Sequence, residues 1–250
     1  MKTRSSWLLA LQCLLLMLGA LLSLAVAPAA EPVRALVIVG GHDFQTNEFH
    51  ELFRTLPKVR AQVVEHPAAH AWLERDASSS YDVLVLYDMW QPISDQAKAS
   101  LLARLAEGKG LVALHHSLAN YQNWNEYGRI LGGRYLLDKR TENGIEKPAS
   151  SYLHDVKFRV EIADPDHPVT RSLPSFNIHD ETYGQLDVRP DVHVLLKTQE
   201  PTSNPVIAWA NQYQAARIAC IQLGHDRFAY ENPHYRQLLA QAIHWTAKRE

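Results

Sequence analysis

A chain of 250 residues with 46% hydrophobic and 21% charged residues has the composition of a folded globular protein rather than a disordered or fibrous one. Its formal net charge of -2 excludes the strongly basic surface that nucleic acid requires, so no nucleic-acid partner is expected. Two cysteines cannot build a disulfide framework, whereas 13 histidines suffice for a site made of imidazoles.

Lys2 and Arg4 precede an apolar run from Trp7 to about Val26, which closes with Ala27, Pro28, Ala29 and Ala30. That pattern predicts a secretory signal peptide over 1–29, cut after Ala29, because the protease needs small side chains at Ala27 and Ala29. The alternative is an uncleaved anchor, since the run approaches the roughly 20 residues that span a bilayer. No later segment is apolar enough to cross a membrane, so 30–250 is expected to form one periplasmic or secreted domain with no stable membrane insertion. Cys13 falls in the leader and leaves Cys220 alone, inside an apolar strand, where a thiol acts as a small hydrophobe.

RALVIV (34–39) predicts a buried strand that runs into Gly40-Gly41. Thr46 then caps a helix to about Leu56, with Phe49, Leu52, Phe53 and Leu56 at helical spacing and Pro57 as its stop. Strands follow at 59–64 and 81–87 (YDVLVLY), Ser94 opens a helix carrying Leu101, Leu102 and Leu105, and GLVAL (110–114) is the fourth strand. Apolar strands alternating with amphipathic helices predict an α/β fold: a mostly parallel, doubly wound, flavodoxin-like sheet with helices on both faces. The second half predicts strands at 156–162, 192–197, 206–209 and 218–223, some of them antiparallel, and a closing helix at 233–247. The polar stretch 141–151, with Gly144 and Pro148, is expected to be a mobile loop.

Ligands of such a sheet bind beyond the carboxyl ends of its strands. Polar groups gather there: Gly40-Gly41-His42-Asp43 after the first strand, Tyr87-Asp88-Met89-Trp90 after the third, and His115-His116-Ser117 after the fourth. His154-Asp155, His179-Asp180-Glu181-Thr182-Tyr183 and Gly224-His225-Asp226 follow, and 179–183 is expected to be a loop.

GGHD, YDVLVLYD, GKGLVALHHS, the Trp124-Asn125-Glu126-Tyr127 segment leading to GRILGGRY, DPDHPVT, HDETY and IQLGHD occur in an order that resembles the trehalose-utilization (ThuA-like) family over 34–245. The resemblance implies a fold similar to class I glutamine amidotransferases and a role in catabolism of trehalose or related, including 3-keto, glycosides. His115 stands where those enzymes carry their cysteine nucleophile, so no amidotransferase activity is expected. His225 loosely matches their histidine, with Gly224 shifting the spacing.

Without a thiol, imidazoles can ligate a divalent metal, zinc above all, or exchange protons with neighbouring carboxylates. His115, His225 and Asp226, with Asp180 or Glu181, are the catalytic candidates; His42, His116 and His225 are the metal candidates. Substrate contacts are assigned to His42, Asp43, Trp90, Trp124 and Tyr183. Adjacent residues of a strand point to opposite faces, so His115 and His116 converge only if a turn intervenes. Plainer roles compete: capped turns for Asp43 and Asp226, a solvated acidic loop for 179–181, and core packing for Trp124 and Tyr127. His66, His70, His167, His193, His234 and His244 are assigned to surface or packing. Three functions remain open: a glycoside-processing enzyme, a non-catalytic binder of a small sugar, and a metal-dependent hydrolase of another polar substrate.

Overall fold

The run VRALVIVG buries every residue except the half-buried Arg34 and forms β1 (Val33–Gly40), inside a nine-stranded sheet. The computed structural model describes residues 31–74, 80–142 and 144–249, so the expected leader at 1–29 lies outside the described residues. β2 (Val59–Glu65) and β3 (Val83–Asp88) flank β1 in parallel, and β4 (Gly110–Leu114) lies parallel beyond β3. β3 and β4 are buried along their whole length, as strands covered on both faces must be. β2 is the edge strand, and none of its residues is fully buried.

The crossovers are α1 (Thr46–Arg54), the short α2 (Ala69–Glu74) and α3 (Asp95–Ala106). Ser94 caps α3, its side chain accepting from the Ala97 amide at 3.0 Å. Thr46 is the first residue of α1 and not its cap; Gln45 holds that place without a side-chain bond. After β4 a 3-10 turn (His115–Ala119) leads to α4 (Asn125–Leu131), which stops at Gly132 with a left-handed φ of 75°. β5 (Gly133–Arg134) pairs with β10 (Asp187–Val188) in a separate ribbon.

The remaining strands are antiparallel to their neighbours apart from β13 (Ala216–Ile221), which lies parallel to β4. They are β8 (Ser151–Ile162), β9 (Phe176–Gly184), β11 (His193–Lys197) and β12 (Val206–Tyr213), in the order β2-β1-β3-β4-β13-β12-β11-β8-β9. α5 (Arg227–Tyr230) and α6 (Pro233–Thr246) close the chain. No described helix is long and apolar enough to cross a membrane.

Two expectations are corrected. The stretch 141–151 contains a hairpin of β6 (Arg140–Glu142) and β7 (Ile145–Lys147), turned by Gly144 at φ 79°. HDETY is not a loop but part of β9: the inward alternation begun by Phe176 and Ile178 continues through Asp180 and Thr182, which hides it from a hydrophobicity reading.

Side-chain alternation along β1 divides the core into two layers. Ala35, Val37 and Val39 face α1 and α6 through Phe49, Leu52, Leu238 and Leu239. Leu36 and Ile38 face the other layer, with Leu101 and Leu105 of α3 and Ile130 and Leu131 of α4. The helices thus leave the carboxyl edge of β1, β3, β4 and β13 for the loops.

Candidate functional site

The site starts at the end of β4, where His115 has φ 48°. A left-handed residue costs a side chain about 1–2 kcal/mol, which surrounding contacts must offset. This one breaks the strand alternation, and both imidazoles enter one cluster with ring centroids 5.4 Å apart. His115 Nδ1 lies 2.6 Å from the Gln222 carbonyl. A carbonyl only accepts, so Nδ1 carries a hydrogen, while Nε2 presents a lone pair in the neutral ring and a second N–H in the cation.

Three polar groups crowd that nitrogen: Tyr183 Oη at 2.9 Å, Glu181 Oε2 at 2.9 Å and His225 Nδ1 at 3.1 Å. Glu181 Oε2 also lies 3.3 Å from His225 Nδ1, and its Oε1 lies 3.1 Å from His154 Nδ1. Lone pairs of an imidazole and a carboxylate facing each other at this distance repel, unless a cation, either a proton or a metal ion, sits between them. Burial works to raise the Glu181 carboxyl, but hydrogen bonds with His115 and His225 prevail and hold it well below the usual carboxylate range. Burial favours the neutral form of His225, yet the hydrogen bond and charge of Glu181 outweigh it and raise its pKa.

His116 behaves differently. Burial, followed by the proximity of His115 and His42, lowers its pKa well below the ordinary value, so it is neutral at physiological pH. Its Nε2 donates to the Tyr87 carbonyl at 3.2 Å, and Nδ1 is left buried with no partner among the described residues. The exposed His42 ring stacks on it at 4.6 Å and meets His225 edge-on at 6.4 Å.

Asp180 bonds to backbone amides and to no imidazole nitrogen among the described residues. Its carboxylate accepts from the amides of Gly224 at 2.8 Å, His225 at 2.9 Å and Glu181 at 2.9 Å, tying β9 to the loop after β13. Burial raises its pKa against the charge of His115 and these bonds. Asp226 caps α5, accepting from the Phe228 amide at 2.8 Å, and the Asp43 side chain is exposed. Trp90 stacks on His66 at 4.9 Å, and Trp124 packs beside the buried Tyr121 and Tyr127. Neither tryptophan lines the cavity above the cluster.

That cavity, of about 240 Å³, is bounded by His42, Met89, His116, Ala119, Tyr135, Leu137, Tyr152, His154, Glu181 and Tyr183. His154, Tyr135 and Tyr152 were not assigned to the site from sequence. His154 arrives through a register shift between Leu153 and Val156, where Asp155 takes φ 59°. Only the HD pair hinted at it, since a bulge leaves no periodic trace. Tyr87, named at the end of the third strand but given no role, has its hydroxyl 2.8 Å from the Gly224 carbonyl and 2.6 Å from the Tyr230 hydroxyl, bracing the His225 loop.

His115, Glu181 and His225 each place a ligand atom within 4.8 Å of the other two, and two imidazoles with a carboxylate form a donor set suited to zinc. Of the expected metal set only His225 belongs to this group. His42 and His116 stand beside it at the cavity wall. Cys220 is buried in β13, and burial pushes its thiol well above the ordinary value.

No match was found among curated proteins. A ThuA-like protein from Parabacteroides merdae has a similar fold, with a TM-score of 0.69 at 19% identity, covering 87% of this chain and 90% of that one. One from Bacteroides uniformis gives 0.66 at 19% identity, covering 89% and 94%. A β-galactosidase from Bacillus circulans shares the fold over 84% of this chain but only 30% of its own, at 13% identity and a TM-score of 0.55. The family model described as trehalose utilisation matches residues 34–246, which spans the cluster, its cavity and the whole sheet: the chain belongs to the ThuA family.

Proposed function

We propose that this chain is an exported enzyme of glycoside catabolism, acting on a trehalose-type or 3-keto glycoside in the cavity above His115, Glu181 and His225. The observation that carries this reading is the convergence of those three groups within 4.8 Å beneath a cavity lined by tyrosines. The family's association with trehalose utilisation supports the substrate class. His115, Glu181 and His225 would hold a divalent ion, which when bound would supply Lewis-acid polarisation of a substrate oxygen.

The chain's own residues do the rest. The Gln222 carbonyl keeps His115 in one tautomer, and His154 holds Oε1 of Glu181 so that Oε2 faces the histidines. Without an ion, Glu181 and His225 form an acid–base pair with the proton held at His225 Nδ1; with an ion bound, the same two atoms are its ligands and carry no proton. His42 and His116 bound the cavity, and Tyr135 and Tyr152 offer aromatic surface to the apolar face of a sugar ring.

Turnover of a panel of neutral and 3-keto glycosides, by wild type and Glu181→Gln, tests the proposal. Wild type should turn over at least one of them, and the variant should lose at least about 100-fold. Saturable sugar binding without turnover would instead establish a binding protein. Export predicts an intact mass that begins at Ala30; a secreted species that retains 1–20 would contradict it.

A further inference from the structure

A second cavity, of about 390 Å³, lies on the other side of β5, lined from α4, β5, the β6–β7 hairpin and β10. It falls within the range of about 300–1,000 Å³ of small-molecule sites. Its wall carries Arg129, Arg134, Lys147 and Arg189 against Glu142 and Asp187.

Three of those cations are already paired. Lys147 Nζ lies 2.7 Å from Asp187 and 3.0 Å from Glu142, Arg129 pairs with Glu126 at 3.0 Å, and Arg189 pairs with Asp191. Arg134 differs: it is 3% exposed and makes no ion pair among the described residues. Its Nη2 donates to the Gln122 carbonyl at 3.1 Å, while Nε is buried with no partner. Buried guanidinium groups are otherwise found with a counter-ion, because an uncompensated charge in low dielectric is costly.

We propose that this cavity binds a small anionic ligand, a carboxylate or phosphate group on a hydrogen-bonding scaffold such as a sugar acid or sugar phosphate, with Arg134 as its anchor. The planar guanidinium fork matches either anion with two parallel bonds. The paired Lys147, Glu142 and Asp187 offer donors and acceptors for hydroxyls on the same ligand. Desolvation and the nearby Arg140 lower the Arg134 pKa and outweigh the opposing charges of Glu142 and Asp187, so a bound anion would add to a compensation that is incomplete. The site is separate from the histidine cavity, although the two share a wall: Arg134 faces one and the next residue, Tyr135, lines the other. The assignment does not rest on the proposed reaction.

Calorimetric titration of full-length folded protein, after chelation and dialysis to remove metal, tests it with inorganic phosphate, glucuronate and neutral glucose as probes. At least one anion should bind saturably, at one per chain, and which of the two binds identifies the group. Arg134→Met should weaken that binding at least about tenfold while leaving the thermal midpoint without ligand unchanged or higher. Wild type that saturates with neither anion, or a variant that binds it unchanged, would overturn the proposal. Should Arg134→Met not fold, Arg134→Lys keeps the charge but loses the two-pronged donor. Weaker binding in Arg134→Lys at unchanged stability supports the site, and unchanged binding refutes Arg134 as its anchor.

Discussion

Asp180 is a carboxylate whose work is done entirely on the backbone. Its three amide partners belong to Glu181, Gly224 and His225, so it sets the distance between two members of the cluster without touching the cavity. Asp180→Asn turns one acceptor into a donor facing a backbone N–H, and should lower stability by about 1–3 kcal/mol. Denaturant unfolding would show it; an unchanged midpoint would remove Asp180 from this role. The Glu181–His225 pair makes a prediction about pH. The depressed Glu181 pKa adds stability present above the unfolded value of about 4.3, and the raised His225 pKa adds stability lost as pH climbs past about 6.5. The buried neutral His116 acts in the opposite sense, losing stability below about pH 6.5, so the His225 contribution is isolated by mutation. In chelated protein His225→Gln should cost more stability near pH 5.5 than near pH 8, and an equal cost at both would contradict it. At this scale the sequence was informative about which residue types gather, and less so about their roles. Asp180 and Asp226 look like catalytic carboxylates in a string of letters, but one braces the backbone and the other caps a helix.

The elements that were easiest to anticipate were those whose apolar pattern has one cause. β1, β3 and β4 are buried on both faces, so their hydrophobic runs coincide with the strands to within a residue or two. β9 was illegible because Asp180 occupies an inward position that a core would give to an apolar side chain. The β8 bulge was illegible because it is defined by its partner strand, and it is what delivers His154 to Glu181. His154→Ala should leave stability nearly unchanged, since the side chain is 52% exposed, while weakening ion or substrate binding; equal binding in variant and wild type would contradict the bridge. Where β4 passes α6, a Cβ on Gly110 would collide with the Thr246 carbonyl. Gly110→Ala should cost about 1–3 kcal/mol in an unfolding titration, and a neutral result would show that α6 can shift.

Across the whole molecule, sheet order decides the function-bearing geometry. Placing β13 beside β4 puts the loop carrying His225 next to His115, and wrapping the antiparallel strands around to β9 returns Glu181 to the same point. The parallel half of this arrangement was legible from alternating strands and helices, whereas the return of β9 depends on pairings far apart in the chain. We propose that His115, Glu181 and His225 form one metal-holding centre, with His42 and His116 beside it. Titrating zinc into chelated, dialysed protein near neutral pH tests this most directly. Wild type and His42→Ala should each take up one equivalent, and His115→Ala, Glu181→Gln and His225→Ala should lose that uptake. No uptake by wild type, or uptake that survives His115→Ala and Glu181→Gln but disappears in His42→Ala, would contradict it.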